Sequence, residues 1–125
     1  MSKPIQIGLL GAGVVGSGVI KILQDKESEI ERQVGAKVSV SSAFVKDKSK
    51  KRDFYYTDGF FADSAQEIFS NPKLDIVVEL MGGEEPAYSY IKSSLQNGKH
   101  VVTANKEVMA KHCQDILSLA KANEV

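Results

Sequence analysis

The sequence holds a single cysteine, Cys113, no tryptophan and only three prolines in 125 residues. One thiol closes no internal disulfide, so the expected setting is reducing and is read here as cytoplasmic. Cys113 itself is read as a helix thiol without consequence. Excess charge of either sign is also missing, since 16 lysines and arginines stand against 16 aspartates and glutamates. No global field therefore recruits nucleic acid or a membrane surface. No apolar run approaches the ~20 residues of a spanning helix. The chain enters a strand almost at once, so no signal peptide is expected. Repeats, low-complexity tracts, linkers and a metal-ligating pattern are absent too. What is left is ordinary globular sequence, 42% hydrophobic and 26% charged, sized for one domain with a real core.

Glycine supplies the leading feature. Ile5, Ile7, Leu9 and Leu10 make an apolar run suited to a buried strand. Gly11, Ala12, Gly13, Val14, Val15 and Gly16 follow, and then an apolar pattern with helical spacing. Strand, G-x-G-x-x-G, helix is the context in which that spacing indicates dinucleotide binding. Gly11 turns the chain off the strand, Gly13 lets backbone approach a pyrophosphate, and Gly16 lets helix pack on strand. Free N–H groups and the positive end of the helix dipole then face the phosphates. A glycine-rich turn that serves packing alone is the competing reading.

The helical pattern of Val15, Val19, Ile22, Leu23, Ile30 and Val34 stops at Gly35, with a break expected between Asp25 and Ser28. Lys37 to Val45 reads as a strand with Val38, Val40 and Phe44 on one face and Ser39, Ser41, Ala43 and Val45 on the other. Residues 46–52 then carry five basic side chains in seven. In a sheet of this kind the end of the second strand meets the adenosine ribose, an acid suiting NAD and a base suiting the 2′-phosphate of NADP. Lys46 and Asp47 offer both, and the surrounding lysines favour NADP. Residues 54–61 suggest an edge strand or an aromatic packed loop, with Asp58-Gly59 as a turn. Ser64 to Glu67 is a capping box for a short helix ended by Asn71-Pro72.

Ile76, Val77 and Val78 mark a central parallel strand. Leu80, Met81, Gly82 and Gly83 lie at its carboxyl end, where open α/β sheets hold ligands. Glu79 within that strand is read as a cap on its polar end, or else as a cleft residue. Pro86 opens a helix that runs through Tyr90, Ile91 and Leu95 to Asn97-Gly98. His100 to Thr103 forms another strand with Ala104, Asn105 and Lys106 at its end. A last helix is predicted from Met109 to Ala122, and Val125 falls where a further strand is due. The alternation predicts an α/β fold, a Rossmann-type doubly wound parallel sheet in a single domain over residues 1–125, cut short before its last strand.

The segments Gly8 to Val19, Val77 to Gly83 and Gly98 to Lys106 together resemble the N-terminal NAD(P)-binding part of homoserine dehydrogenase. The Val-Glu-Leu-Met-Gly-Gly and Thr-Ala-Asn-Lys segments carry most of that likeness, which spans nearly the whole chain. The resemblance implies reversible oxidation of L-homoserine to L-aspartate 4-semialdehyde with NAD or NADP, on the route to threonine and methionine. It implies that Gly11 to Gly16 hold the pyrophosphate. Val45, Lys46 and Asp47 would meet the adenosine ribose, with lysine in place of the family's arginine. Leu80 to Gly83 and Thr103 to Lys106 would flank the nicotinamide half, and Lys106 would be catalytic. In the family the substrate-binding and dimer-forming domain comes later. These 125 residues alone are therefore expected to bind cofactor without turning over homoserine, which needs both reactants held together. The dinucleotide domain of another amino-acid dehydrogenase, or a non-catalytic NAD(P)-sensing module, remains an alternative.

Overall fold

The computed structural model describes residues 3–50 and 52–125. Among the described residues nine elements follow one another: β1 (Ile5–Leu10), α1 (Val14–Asp25), α2 (Glu27–Val34), β2 (Val38–Phe44), α3 (Ala65–Phe69), β3 (Ile76–Glu79), α4 (Ala87–Gln96), β4 (His100–Thr103) and α5 (Lys106–Ala122). The four strands form one parallel sheet in the order β2-β1-β3-β4. The chain runs from β1 outward to β2, then crosses over β1 to β3. That reversal puts the topological switch point between β1 and β3.

Parallel pairing needs cover on both faces, and the side chains supply it. Ile7, Leu9 and Val78 face α1, whose Ile20 is the buried anchor, with Leu23 packed beside it. Sealing an isoleucine in this way is worth roughly 1.5–3 kcal/mol. Leu10 and Val77 face the other way, onto Ile68 of α3 and Leu74. Beyond them Ile91 and Leu95 of α4 pack on Val108 and Ile116 of α5. Val15, Ile22 and Val34, which belong to the helical pattern of the sequence, are exposed. Periodicity located the helices but not the stripe that the sheet covers.

The first helical stretch does break, at Lys26, and Gly35 ends it in the left-handed conformation with φ 87°. The expected faces of β2 need correction. Ile7 pairs with Val40 and Gly8 with Ser42, so Ser41 is an extra residue in the ladder. This bulge inverts the alternation. Val38, Val40, Ala43 and Val45 therefore share the α1 face, while Phe44 turns to the opposite face and meets Tyr90 edge-on. The aromatic segment is a packed loop: Phe54 and Phe60 are buried, and Phe61 makes a lone parallel bridge to Ala43. It sits beside β2 where a further strand would add to the sheet.

The capping box of α3 is formed, with Glu67 reaching back to the Ser64 N–H. Pro86 stands at the N-cap of α4, one residue ahead of the helix. The last helix starts at Lys106, not Met109, because the Asn105 side chain accepts from the Val108 N–H and caps it there. At its far end the Val125 N–H bonds the Ala120 carbonyl.

Candidate functional site

Register brings the strand ends level. Leu10 pairs with Phe44 on one side and Glu79 on the other, and Glu79 pairs with Thr103. The residues that follow each strand therefore emerge together along one edge of the sheet. Gly11, Val45, Leu80 and Ala104 are those residues; the sequence reading carried the second strand one residue farther, through Val45.

Around Gly11 to Gly16 the backbone explains two glycines by packing and leaves one unexplained. Gly11 has φ +96°, and a Cβ there would lie 3.1 Å from the Leu80 carbonyl oxygen. At Gly16 a Cβ would approach the Gly11 carbonyl oxygen to 2.6 Å, closer than real contacts allow. Gly13 has φ −78° and no protein atom within 4 Å of where its Cβ would stand. No protein contact requires glycine at that position. Gly13 is also the N-cap of α1, where no side chain caps the free N–H groups and no acid sits in the first turn. Such a helix start presents unpaired donors and a positive partial charge to whatever lies in front of it.

What lies in front is a crevice in three joined parts. One part, about 470 Å³, runs from Ala12, Gly13 and Ser17 to Lys50 and Arg52. The next, about 310 Å³, shares Ala12, Gly13, Lys50 and Arg52 and adds Val45, Lys46, Asp47, Leu80 and Met81. The third, about 230 Å³, lies among Val15, Leu80, Met81, Gly82, Ala104 and Asn105. These volumes suit an extended small molecule with different chemistry at its two ends.

The basic end differs in detail from the sequence reading, which singled out Lys46 and Asp47. Asp47 turns its carboxylate onto its own loop, accepting from the Ser49 N–H at 3.0 Å and the Ser49 hydroxyl at 2.6 Å. The hydroxyl bond and then the amide bond hold its pKa below the usual carboxylate value. Lys50 and Arg52 line the crevice beside Lys46, and the Arg52 guanidinium donates to the carbonyls of Lys50 and Asp47 and lies over the Phe61 ring. Lys50 and Arg52 were seen in the sequence only as part of a charged run; the loop that folds them back has no local signature. Lys51 lies outside the described residues.

At the other end, Glu79 is fully buried. Its carboxylate accepts from the Thr103 hydroxyl at 2.5 Å, the Met81 N–H at 2.9 Å and the Asn105 amide at 3.4 Å. Asn105 also donates to the Gly83 carbonyl at 2.7 Å. Gly82 and Gly83 have φ of +79° and +73° in this loop, with open space where each Cβ would be. Lys106 is exposed at the first position of α5, next to Asn105. Farther along, α5 departs from helical geometry at His112, whose Nε2 lies 2.7 Å from Glu84 and whose ring stacks on Tyr88.

A parallel sheet wound on both faces, with a glycine-lined helix start at its switch point, defines a Rossmann-type domain. Comparison with known proteins specifies it further. Residues 11–125 match the family described as homoserine dehydrogenase, NAD binding domain, and the chain belongs to that family. Homoserine dehydrogenase of Bacillus subtilis is 40% identical over 121 residues, covering 97% of this chain and 28% of that protein. The crystal structure of a homoserine dehydrogenase from Thiobacillus denitrificans superposes with a TM-score of 0.91 at 40% identity, over 98% of this chain and 28% of that one. A hyperthermophilic archaeal homoserine dehydrogenase in complex with NADPH gives a TM-score of 0.77 at 26% identity, over 98% and 42%. The chain thus spans little more than a quarter of the length of the Bacillus subtilis relative. Family membership makes this chain an NAD-binding domain.

Proposed function

We propose that residues 1–125 form one NAD(P)-binding domain serving a homoserine dehydrogenase, an enzyme that reversibly oxidises L-homoserine to L-aspartate 4-semialdehyde. The observation that carries this reading is the open space at Gly13, where a methyl group would stand in the crevice and not against protein. The Gly11 N–H is taken by the Phe44 carbonyl, so a pyrophosphate laid there meets the free N–H groups at the start of α1. Ala12, Val14 and Val15 complete that wall.

The adenosine ribose lies toward Val45, Lys46 and Asp47. Because Asp47 is bonded to Ser49, it is poorly placed to accept from a ribose hydroxyl, while Lys46, Lys50 and Arg52 gather positive charge. That balance favours NADP over NAD. The nicotinamide half lies along Leu80, Met81, Gly82, Gly83, Thr103, Ala104 and Asn105. Once bound, the nicotinamide supplies the hydride acceptor. Lys106, one residue beyond, is the candidate catalytic group: its ammonium would polarise the substrate oxygen as charge develops there.

The same reading makes the whole enzyme a cytoplasmic homodimer, with the main dimer interface and the substrate contacts other than Lys106 outside these residues. Among the described residues no helix is long and apolar enough to cross a membrane. The test is a titration of the purified chain with NADPH, followed by cofactor fluorescence, alongside an assay for homoserine-dependent NADP reduction. Saturable binding without turnover is expected. Absence of binding would refute the assignment.

A further inference from the structure

Strand β3 carries a charged residue where its neighbours are apolar, and the structure makes it a junction. Glu79 has no exposed surface, and no cation pairs with it among the described residues. A strand-end cap would need only the Met81 N–H. Instead the two carboxylate oxygens are divided. Oε1 takes the Thr103 hydroxyl from β4, and Oε2 takes Met81 N–H and the Asn105 amide. Thr103 in turn accepts from the Asn105 N–H at 3.0 Å, and Asn105 ties down Gly83 and caps α5, which begins at Lys106. One buried carboxylate thereby aligns the chain after β3, the end of β4 and the start of α5. Burying a carboxylate is costly unless its acceptors are satisfied, and here three donors converge on it.

We infer that Glu79 is a positioning residue for the nicotinamide half of the crevice, acting through Thr103, Asn105 and Met81 without touching the cofactor. The inference rests on the placement of that half in the functional reading above. The adenosine half lies toward the end of β2 and the basic loop, to which the Glu79 side chain makes no hydrogen bond. Loss of Glu79 should therefore separate the two ends of one ligand.

Glu79→Met keeps the length of the side chain but removes the oxygens to which the Met81 N–H and the Asn105 amide donate; an amide there would be tolerated, because the Thr103 hydroxyl can turn and accept from it. The probes are NADPH and adenosine 2′,5′-bisphosphate, which lacks the nicotinamide half. In Glu79→Met the affinity for NADPH should fall about tenfold, the equivalent of one buried donor left unpaired. Affinity for the bisphosphate should stay within about twofold of wild type. Thr103→Val, on the edge strand, should reproduce the split if Glu79→Met fails to fold. Thr103→Ser, which keeps the hydroxyl, should restore NADPH binding. Equal weakening of both ligands would mean a merely structural role and overturn the inference, as would no weakening of either. Wild-type chain that binds neither probe would instead remove the dinucleotide reading itself.

Discussion

Alanine at Gly13 and alanine at Gly16 should do opposite things, and the contrast tests the glycine turn directly. At Gly13 the added methyl meets no protein atom within 4 Å, and φ is −78°. Alanine is the poorer N-cap by about 1 kcal/mol. Its stiffer unfolded chain offsets roughly 0.4–1 kcal/mol of that. Stability should therefore change by less than about 1 kcal/mol. The methyl does stand where a phosphate would approach. Displacing one charge-assisted N–H contact costs about 1.5–3 kcal/mol, or roughly a ten- to hundredfold rise in Kd. At Gly16 the methyl would lie 2.6 Å from the Gly11 carbonyl oxygen, a backbone atom that cannot swing aside. Overpacking of that kind costs about 1–3 kcal/mol of stability. Urea unfolding and NADPH titration of both variants give the two numbers. Gly13→Ala binding with wild-type affinity would refute the claim that the crevice in front of α1 receives the phosphates.

Two further outcomes are expected. Lys46→Ala and Arg52→Ala should each weaken NADP more than NAD, by up to about tenfold for a lost phosphate contact; equal loss for the two cofactors would mean that the basic loop is only a solvated surface. The carboxyl of Glu84 is held below its ordinary value of 4.5, first by the hydrogen bond to His112 and then by Lys111. A depressed carboxyl pKa stabilises the fold fully above the ordinary value and stops doing so as pH falls through the depressed one. Urea midpoints of wild type and Glu84→Gln should therefore differ at about pH 7 and draw together as pH falls below 4.5. A gap that stays constant over that range would disprove the contribution.

The site was legible where chemistry is local. Glycine spacing after an apolar run named the turn, and Ser64 with Glu67 named a helix start, because each depends on residues within a few positions. Lys50 and Arg52 were visible only as charge, since which side of a loop faces a crevice depends on how that loop folds back. Glu79 stood out in the sequence as a charge among apolar residues, yet its partners Thr103 and Asn105 lie 24 and 26 residues away.

By itself the sequence determined the parallel α/β alternation, the glycine turn between β1 and α1 and nearly every helix boundary, through backbone preferences that each residue carries with it. Only tertiary structure decided the register. The Ser41 bulge moves Ala43 and Val45 to the face of Val38 and Val40, and no periodicity along one strand reveals how many residues its neighbour will skip. Likewise, three strand ends come level at Glu79 because hydrogen-bonded ladders align them, and a ladder is a property of pairs.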